Sequence, residues 1–201
     1  SGKFLECWSE LLGYCMQKGI QFGISRKESC NVYYVRNMCL GADNLRGEGQ
    51  KPFDGKLDYT HLMWIDSDII FKPSQFQALL DRNADIVSGL YMMDGGQAYA
   101  AVKAWDEEYF KKNGSFQFLA PADLKNQAGL LEVSYAGFGF MLIKRGVFES
   151  LKYPWFRPIF KQIGPAVDFT MEDVGFCLQA QEAGYKIHID PYSTIFFFFG
   201  I

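Results

Sequence analysis

The chain lacks any apolar run long enough to cross a membrane, and it lacks a run of basic residues. Because a membrane-spanning helix needs roughly 20 apolar residues, the sequence predicts no membrane span. The formal net charge of −3 argues against a nucleic-acid-binding surface. The first residues also lack the basic and apolar regions of a signal peptide. We therefore expect a soluble cytoplasmic protein, unless targeting residues precede Ser1.

Cysteine pairs typical of metal or disulfide sites are also missing. The five cysteines show neither Cys-x-x-Cys spacing nor the density of a secreted disulfide scaffold, and they lie within apolar patterns. The sequence therefore predicts reduced core thiols at Cys7, Cys15, Cys30, Cys39 and Cys177.

No internal repeat or low-complexity linker divides the chain, so residues 1–201 are predicted to form a single domain with a substantial core. Apolar residues make up 49% of the chain and aromatic residues 17%. This composition favours a well-packed globule with aromatic-lined clefts.

Residues 61–71 carry the most informative pattern. The apolar segment 62–65 predicts a strand buried on both faces, as in the middle of a mostly parallel sheet. It ends in two carboxylates, Asp66 and Asp68, separated by Ser67. Side chains two apart on a strand point the same way, so both acids can face one site at the carboxyl end of the strand, where open α/β sheets bind ligands. Burying unpaired carboxylates is unfavourable, which predicts a divalent metal ion there. The alternative is two solvated aspartates that cap the next turn.

Hydrophobic periodicity and turn residues predict an alternation of helices and strands. Helices are predicted at 4–18, 31–41, 74–83, 147–151 and 174–183, and strands at 20–25, 62–65, 85–91, 98–105, 130–135, 138–144 and 185–190. Residues 42–56 are predicted to form a loop, and residues 106–128 show no consistent pattern. The four phenylalanines at 196–199 are expected to be buried, because an exposed run of this kind favours aggregation.

Three further places carry candidate site residues. Gly137 and Gly139 would let the backbone approach a ligand closely, although a β-bulge would explain them equally well. Asp173 follows Thr170 by three residues, which is typical of a helix start, and the acid also stands where a helix dipole favours it. Arg36 lies in the middle of a predicted helix, where it either faces solvent or contacts an anion or an acceptor.

The chain resembles a GT-A-fold glycosyltransferase of the compact viral or bacterial type in the order of its motifs, which are Arg36-Asn37, Asp66-Ser67-Asp68, Gly137-Phe138-Gly139-Phe140 and Glu172-Asp173. The resemblance covers about residues 32–191. It implies an α/β fold with a mixed, mostly parallel central sheet flanked by helices. It also implies that a sugar moves, with inversion, from a nucleotide diphosphate sugar to a hydroxyl of a glycan or glycoprotein acceptor, with Mn²⁺ or Mg²⁺ as cofactor.

The same resemblance implies roles for individual residues. Asp68 would hold the metal ion, and Asp66 would contact the metal or the donor ribose. Asp173 would be the general base, with Glu172 as the neighbouring alternative. Further donor contacts would come from Ser67, Arg36 and Asn37, and substrate contacts from Gly137, Phe138, Gly139, Asp94, Trp155 and Phe156. The rings of Trp155 and Phe156 suit the C–H face of a sugar, and their alternative is ordinary packing.

The chain differs from that family in two features, and other functions stay open. The N-terminal strand is short or missing, and no histidine follows the last strand, so His188 is the nearest one. One alternative is a catalytically impaired carbohydrate- or nucleotide-binding protein on the same fold. A second is a phosphatase of the haloacid-dehalogenase type, in which the first aspartate is a nucleophile. A third is a glycosidase that uses Asp66 or Asp68 with Asp173.

Overall fold

The computed structural model describes residues 2–93 and 95–197. Its helices are α1 (Gly2–Lys18), α2 (Val32–Cys39), α3 (Pro73–Asp81), α4 (Glu107–Asn113), α5 (Val147–Ser150) and α6 (Glu172–Glu182). Its strands are β1 (His61–Ile65), β2 (Ile69–Ile70), β3 (Ile86–Leu90), β4 (Ala101–Val102), β5 (Leu131–Val133), β6 (Tyr135–Ala136), β7 (Phe140–Lys144), β8 (Phe160–Ile163), β9 (Ala166–Phe169), β10 (Ile187–Thr194) and β11 (Phe196–Phe197). Short 3₁₀ turns cover Asn44–Arg46, Pro52–Gly55 and Pro121–Leu124.

The central sheet has five strands in the order β1-β7-β3-β10-β5. β3 and β10 run parallel, whereas the pairs β1–β7, β3–β7 and β5–β10 are antiparallel. The prediction of an α/β fold with a mixed sheet flanked by helices is confirmed, but the mostly parallel character is wrong. β1 lies at an edge with all five residues partly exposed, and not in the middle of the sheet. An apolar run alone does not reveal the neighbours of a strand, because these come from distant parts of the sequence.

The two faces of the sheet pack against different helices, because successive side chains of a strand point to opposite faces. Along β7, Met141 and Ile143 lie in one core together with side chains of α5 and α6. Phe140 and Leu142 lie in the other core together with side chains of α1 and α3. The middle of α6, at Phe176, Cys177 and Ala180, therefore packs in the same core as Leu40, which directly follows α2.

Several predicted elements differ from the observed ones. Residues 20–30 form neither helix nor strand, so the strand predicted at 20–25 is wrong. The strand predicted at 98–105 is reduced to β4, and the unassigned segment 106–128 contains α4. Phe196 is 64% exposed, which contradicts the expected burial, while Phe198 and Phe199 lie outside the described residues.

The five cysteines are free thiols, as predicted, but they are not all in the core. Cys7, Cys15 and Cys177 are buried, Cys39 is half-buried and Cys30 is exposed. In the part of the chain that the structure describes, no helix has the length and apolar character needed to span a membrane.

Candidate functional site

Asp66 and Asp68 lie in a tight turn at the carboxyl end of β1. The N–H of Asp66 donates to the carbonyl of Gly139 at 3.0 Å, and the N–H of Ile69 donates to the carbonyl of Asp66 at 3.1 Å. Asp66 is half-buried, whereas Ser67 and Asp68 are exposed. Because the strand ends at Ile65, the strand alternation that predicted a common direction for the two carboxylates stops before them.

A buried arginine joins this turn to the start of α6. Arg36, on α2, donates from Nη2 to Oδ2 of Asp66 and from Nε to Oε1 of Glu172, both at 3.1 Å. Its guanidinium also stands 5.7 Å from the ring centre of Trp64 and 5.1 Å from that of Phe138. Two carboxylates from distant parts of the chain are therefore held by one cation with little access to water.

The charges of this cluster change the pKa values within it. Burial by itself lowers the pKa of Arg36, but the carboxylates of Asp66 and Glu172 hold it above its ordinary value. Burial raises the pKa of Asp66, and the guanidinium of Arg36 offsets only part of that rise. Arg36 therefore remains a cation, and its Nε and Nη2 groups donate to the carboxylates of Glu172 and Asp66. A contact of Arg36 with the sugar donor stays a prediction.

Asp173 and Glu172 open α6 but have different surroundings. Glu172 is 5% exposed and pairs with Arg36. Asp173 is half-buried, accepts a hydrogen bond at Oδ2 from the hydroxyl of Tyr135 at 2.7 Å, and accepts one at Oδ1 from the N–H of Val174 at 2.7 Å. Burial raises the pKa of Asp173, and the bond from Tyr135 offsets only part of the rise. The two acids are therefore adjacent in the sequence but differ in their burial and in the groups that they pair with.

The glycines predicted to contact substrate are covered by a tyrosine. A Cβ added at Gly137 would lie 1.9 Å from the Tyr91 hydroxyl oxygen, and one at Gly139 would lie 2.9 Å from Cε1 of the same ring. The N–H of Gly139 also donates to that hydroxyl at 3.4 Å. Burial raises the pKa of Tyr91, with smaller contributions from the charges of Asp173 and Asp66. Tyr91 thus packs directly against the backbone of both glycines.

The aromatic residues predicted to stack on an acceptor are in the core. Trp155 is 0% and Phe156 1% exposed, so neither ring presents a face to a sugar, and the predicted stacking role needs correction. Asn37, predicted to contact the donor, instead holds this segment: its Nδ2 donates to the Phe156 carbonyl at 2.7 Å and its Oδ1 accepts from the Phe156 N–H at 3.2 Å. Phe138 is also buried, against Arg36.

The sequence analysis did not identify two tyrosines of the site. One predicted site residue lies outside the residues that the structure describes. Tyr91 and Tyr135 belong to no motif, and the one available signal for Tyr135 was its position just before Ala136-Gly137. Asp94 lies outside the described residues. His188 lies within β10, opposite Val87 of β3 and Glu132 of β5.

A metal ion would find only part of its ligands among the residues that the structure describes. Among residues 2–93 and 95–197, no group of three or more His, Cys, Asp or Glu side chains is placed to hold a metal. Arg36 binds Oδ2 of Asp66, so Oδ1 is outside that ion pair, and Asp68 is exposed. Since Mg²⁺ takes about six oxygen ligands and usually keeps waters or substrate phosphates, these residues fit a cation that a bound diphosphate and water complete.

Comparison with known proteins identifies the fold. No protein-family model and no curated protein sequence matches this chain. Among solved structures, A197 from STIV is 18% identical with a TM-score of 0.57, and the match covers 95% of this chain and 79% of A197. GalNAc-T7, solved with UDP, GalNAc and Mn²⁺, is 13% identical with a TM-score of 0.52. That match covers 94% of this chain but only 34% of GalNAc-T7. At these identities the likeness establishes the fold alone: this chain has a glycosyltransferase-like α/β fold.

Proposed function

We propose that this chain transfers a sugar from a nucleotide diphosphate sugar to a hydroxyl group of a glycan or glycoprotein, with inversion at the anomeric carbon. The observation that carries the proposal is the Arg36 bridge between Asp66 and Glu172, which joins the turn after β1 to the start of α6, where Asp173 lies. Asp66 is paired with a buried cation, and Asp173 is held by a tyrosine. The fold supports this reaction class, because GalNAc-T7 was solved with UDP, GalNAc and Mn²⁺. In this proposal residues 1–201 act as one transferase domain.

Asp173 acts as the general base. Its carboxylate takes the proton of the acceptor hydroxyl while the acceptor oxygen bonds to the anomeric carbon and the bond to the diphosphate breaks. Burial raises the pKa of Asp173, which makes its carboxylate a better proton acceptor than a free aspartate. The hydroxyl of Tyr135 and the N–H of Val174 fix its orientation, and each carboxylate oxygen retains a further lone pair for the acceptor.

Glu172 acts as the counter-charge of Arg36 in this scheme. Its side chain is 6% exposed and paired at 3.1 Å, so taking up a proton would leave the Arg36 cation less well compensated. Protonation of Asp173 would leave Arg36 still paired with the Glu172 carboxylate, which supports Asp173 over Glu172 as the base. Arg36 in turn positions Asp66, and Asn37 positions the segment at Phe156.

The donor diphosphate binds at the turn after β1. Asp68 and Asp66, with Ser67 between them, would hold Mn²⁺ or Mg²⁺ together with the diphosphate oxygens. When bound, such an ion neutralises the negative charge that the departing diphosphate gains. The exposure of Asp68 supports this assignment, because its carboxylate is open to a ligand from solvent.

The sugar being transferred approaches the backbone of Gly137 and Gly139. Tyr91 covers both glycines, so its ring has to move before a sugar reaches them. Tyr91 follows directly after β3 and precedes the turn that contains Gly95 and Gly96, both with positive φ. Phe138 contributes its backbone only, because its ring is buried.

Calorimetric titration with UDP, GDP and dTDP, each with and without Mn²⁺, tests the donor half of the proposal. We expect one nucleotide to bind in a Mn²⁺-dependent manner, and Asp68→Ala to weaken that binding about tenfold or more, since a metal ligand is lost. Asp85→Ala is the matched control, because Asp85 precedes β3 at the opposite end of the sheet.

The nucleotide sugar identified in this way then serves in a transfer assay. Asp173→Asn should lower the rate by about 10²–10⁴-fold, the usual contribution of a general base, while nucleotide binding stays unchanged. Failure of every nucleotide to bind a folded sample with Mn²⁺ present would refute the donor site. Nucleotide binding with full transfer activity in Asp173→Asn would refute the assignment of the base.

A binding protein without turnover on the same fold is the second candidate. The specific observation in its favour is that Tyr91 covers Gly137 and Gly139. Mn²⁺-dependent nucleotide binding with neither transfer product nor free sugar released from the donor would select this candidate.

A further inference from the structure

An exposed aromatic hairpin precedes the candidate base in the chain. β8 and β9 pair as an antiparallel ribbon in which Phe160 lies opposite Phe169 and Gln162 lies opposite Val167. Directly opposite residues of such a ribbon share a face, and so do residues two apart, so these four side chains form one face. We call this surface, Phe160, Gln162, Val167 and Phe169, the hairpin face.

The rings of the hairpin face are exposed rather than buried. Phe160 is 58%, Val167 54% and Phe169 61% exposed, and the two ring centres are 5.6 Å apart at an interplanar angle of 70°. Trp155 and Phe156, only a few residues earlier in the chain, are fully buried. The rings of Phe160 and Phe169 are thus accessible to a ligand, whereas the rings of Trp155 and Phe156 are buried.

Hydrogen bonds at the base of the hairpin join its two strands to each other and to α2. The N–H of Thr170 donates to the Ile159 carbonyl and the N–H of Ile159 donates to the Thr170 hydroxyl, both at 3.0 Å. The hydroxyl of Tyr33, on α2, donates to the Thr170 carbonyl at 2.8 Å. Burial raises the pKa of Tyr33, and the charges of Glu172, Asp173 and Asp168 add to the rise. Tyr33 therefore lies near both the acids of α6 and the acid of the hairpin.

The size of the hairpin face fits a small ligand. A phenylalanine buries about 150–250 Å² when fully covered, so two rings exposed by more than half offer roughly 200–250 Å². A stable protein interface buries about 800 Å² on each partner. The hairpin face is too small to hold a protein partner or a second copy of this chain by itself, whereas one or two sugar rings match it.

The charges beside the hairpin face disfavour a lipid surface. Lys161 and Asp168 lie opposite each other on the other face of the ribbon, so the hairpin has no cationic excess. Segments that bind anionic membranes carry an excess of Lys and Arg.

We propose that the hairpin face is the acceptor-binding platform, on which a carbohydrate lays the C–H side of its ring against Phe160 and Phe169. The exposed amide of Gln162 then meets a sugar hydroxyl. This proposal rests on the proposed function for the identity of its ligand, and it replaces the predicted stacking on Trp155 and Phe156. It explains why aromatic side chains remain exposed next to a base that must receive a proton from an acceptor hydroxyl.

Saturation-transfer NMR with lactose, chitobiose, maltose and mannobiose tests the platform, with the proteins irradiated at their aromatic protons. The samples are the parent, F160S/F169S, F160Y/F169Y and F22S, where Phe22 is a matched exposed phenylalanine outside the hairpin. We expect saturation of sugar ring protons in the parent, F160Y/F169Y and F22S. Binding should be about tenfold weaker in F160S/F169S, because two ring contacts are lost. Calorimetry of the nucleotide on the same samples should show no change.

Each remaining outcome decides one of the two proposals. Equal sugar binding by the parent and F160S/F169S, or no sugar binding by a parent that binds nucleotide, overturns the platform and leaves the donor site standing. Loss of sugar binding in F160S/F169S without any nucleotide binding supports the platform and refutes the transferase. Phenylalanine-dependent sedimentation with phosphatidylcholine vesicles, or a phenylalanine-dependent dimer, overturns the platform and assigns the rings to lipid or to a second copy.

Discussion

Replacing Arg36 by methionine removes the cation that holds Asp66 and Glu172 together. Methionine is unbranched and apolar, so it keeps much of the packing against Trp64 and Phe138 while it removes both 3.1 Å ion pairs. The substitution therefore isolates the electrostatic part of the Arg36 contacts.

The expected loss of stability follows from the unequal exposure of the two acids. The Glu172 side chain is 6% exposed and that of Asp66 39% exposed. Removing one partner of a buried ion pair costs about 3–5 kcal/mol, because a buried charge is left uncompensated. The Asp66 pair is discounted, since water reaches that carboxylate. We therefore expect Arg36→Met to lower the free energy of unfolding by about 3–5 kcal/mol, most of it through Glu172.

Urea unfolding of Arg36→Met, Glu172→Gln and the double variant measures this loss and its origin. In the double variant the buried charge of Glu172 is gone, and only the partly exposed carboxylate of Asp66 has lost its partner, so this variant should regain a large part of the stability lost by Arg36→Met. Arg145→Met is the control, because Arg145 pairs with the almost fully exposed Asp58 and should lose less than about 1 kcal/mol.

Two results would refute this reasoning about Arg36. One is a loss no larger than that of Arg145→Met. The other is a double variant whose loss equals the sum of the two single losses, which would mean that Arg36 and Glu172 act independently.

Three further predictions concern the carboxylate of α6 and the glycines. Tyr135→Phe removes a hydrogen bond that lowers the pKa of Asp173, so the acidic limb of kcat/KM should move to higher pH; a lower rate with an unmoved limb would contradict this. Because burial raises the pKa of Asp173, the folded state binds more protons than the unfolded one, and its ionisation opposes folding as the pH rises through the folded pKa. Asp173→Asn should therefore raise the free energy of unfolding at neutral pH by an amount that vanishes in acid, and a constant difference across pH would count against this. Gly137→Ala brings a Cβ to 1.9 Å from the Tyr91 hydroxyl oxygen. Overpacking of this kind should lower Tm by about 5 °C. Tyr91→Phe in the same chain removes the hydroxyl oxygen that the Cβ meets and should restore part of the loss, and an unchanged Tm in Gly137→Ala would show that Tyr91 moves freely.

The helices could be predicted from the sequence because their periodicity is local. α3 and α6 cover nearly the segments 74–83 and 174–183 that periodicity indicated. The order and direction of the strands could not be predicted in this way. Ile65 of β1 pairs with Phe140 of β7, and an apolar run carries no information about a partner so far along the chain. For this reason the sequence predicts a central strand at a place where the structure has an edge strand.

The candidate site likewise combines features that the local sequence indicates with features that depend on contacts between distant residues. The sequence by itself determined that Asp66 directly follows a strand and that Asp173 lies at the start of a helix. Both features depend on the types of the neighbouring residues, so a local pattern indicates them. Only the tertiary structure decided that Arg36 pairs with two acids and that Tyr135 orients the neighbouring Asp173. It also decided that Phe160 and Phe169 are exposed while Trp155 and Phe156 are buried. Burial and ion pairing depend on side chains that other elements bring in, and no local pattern specifies which elements those are.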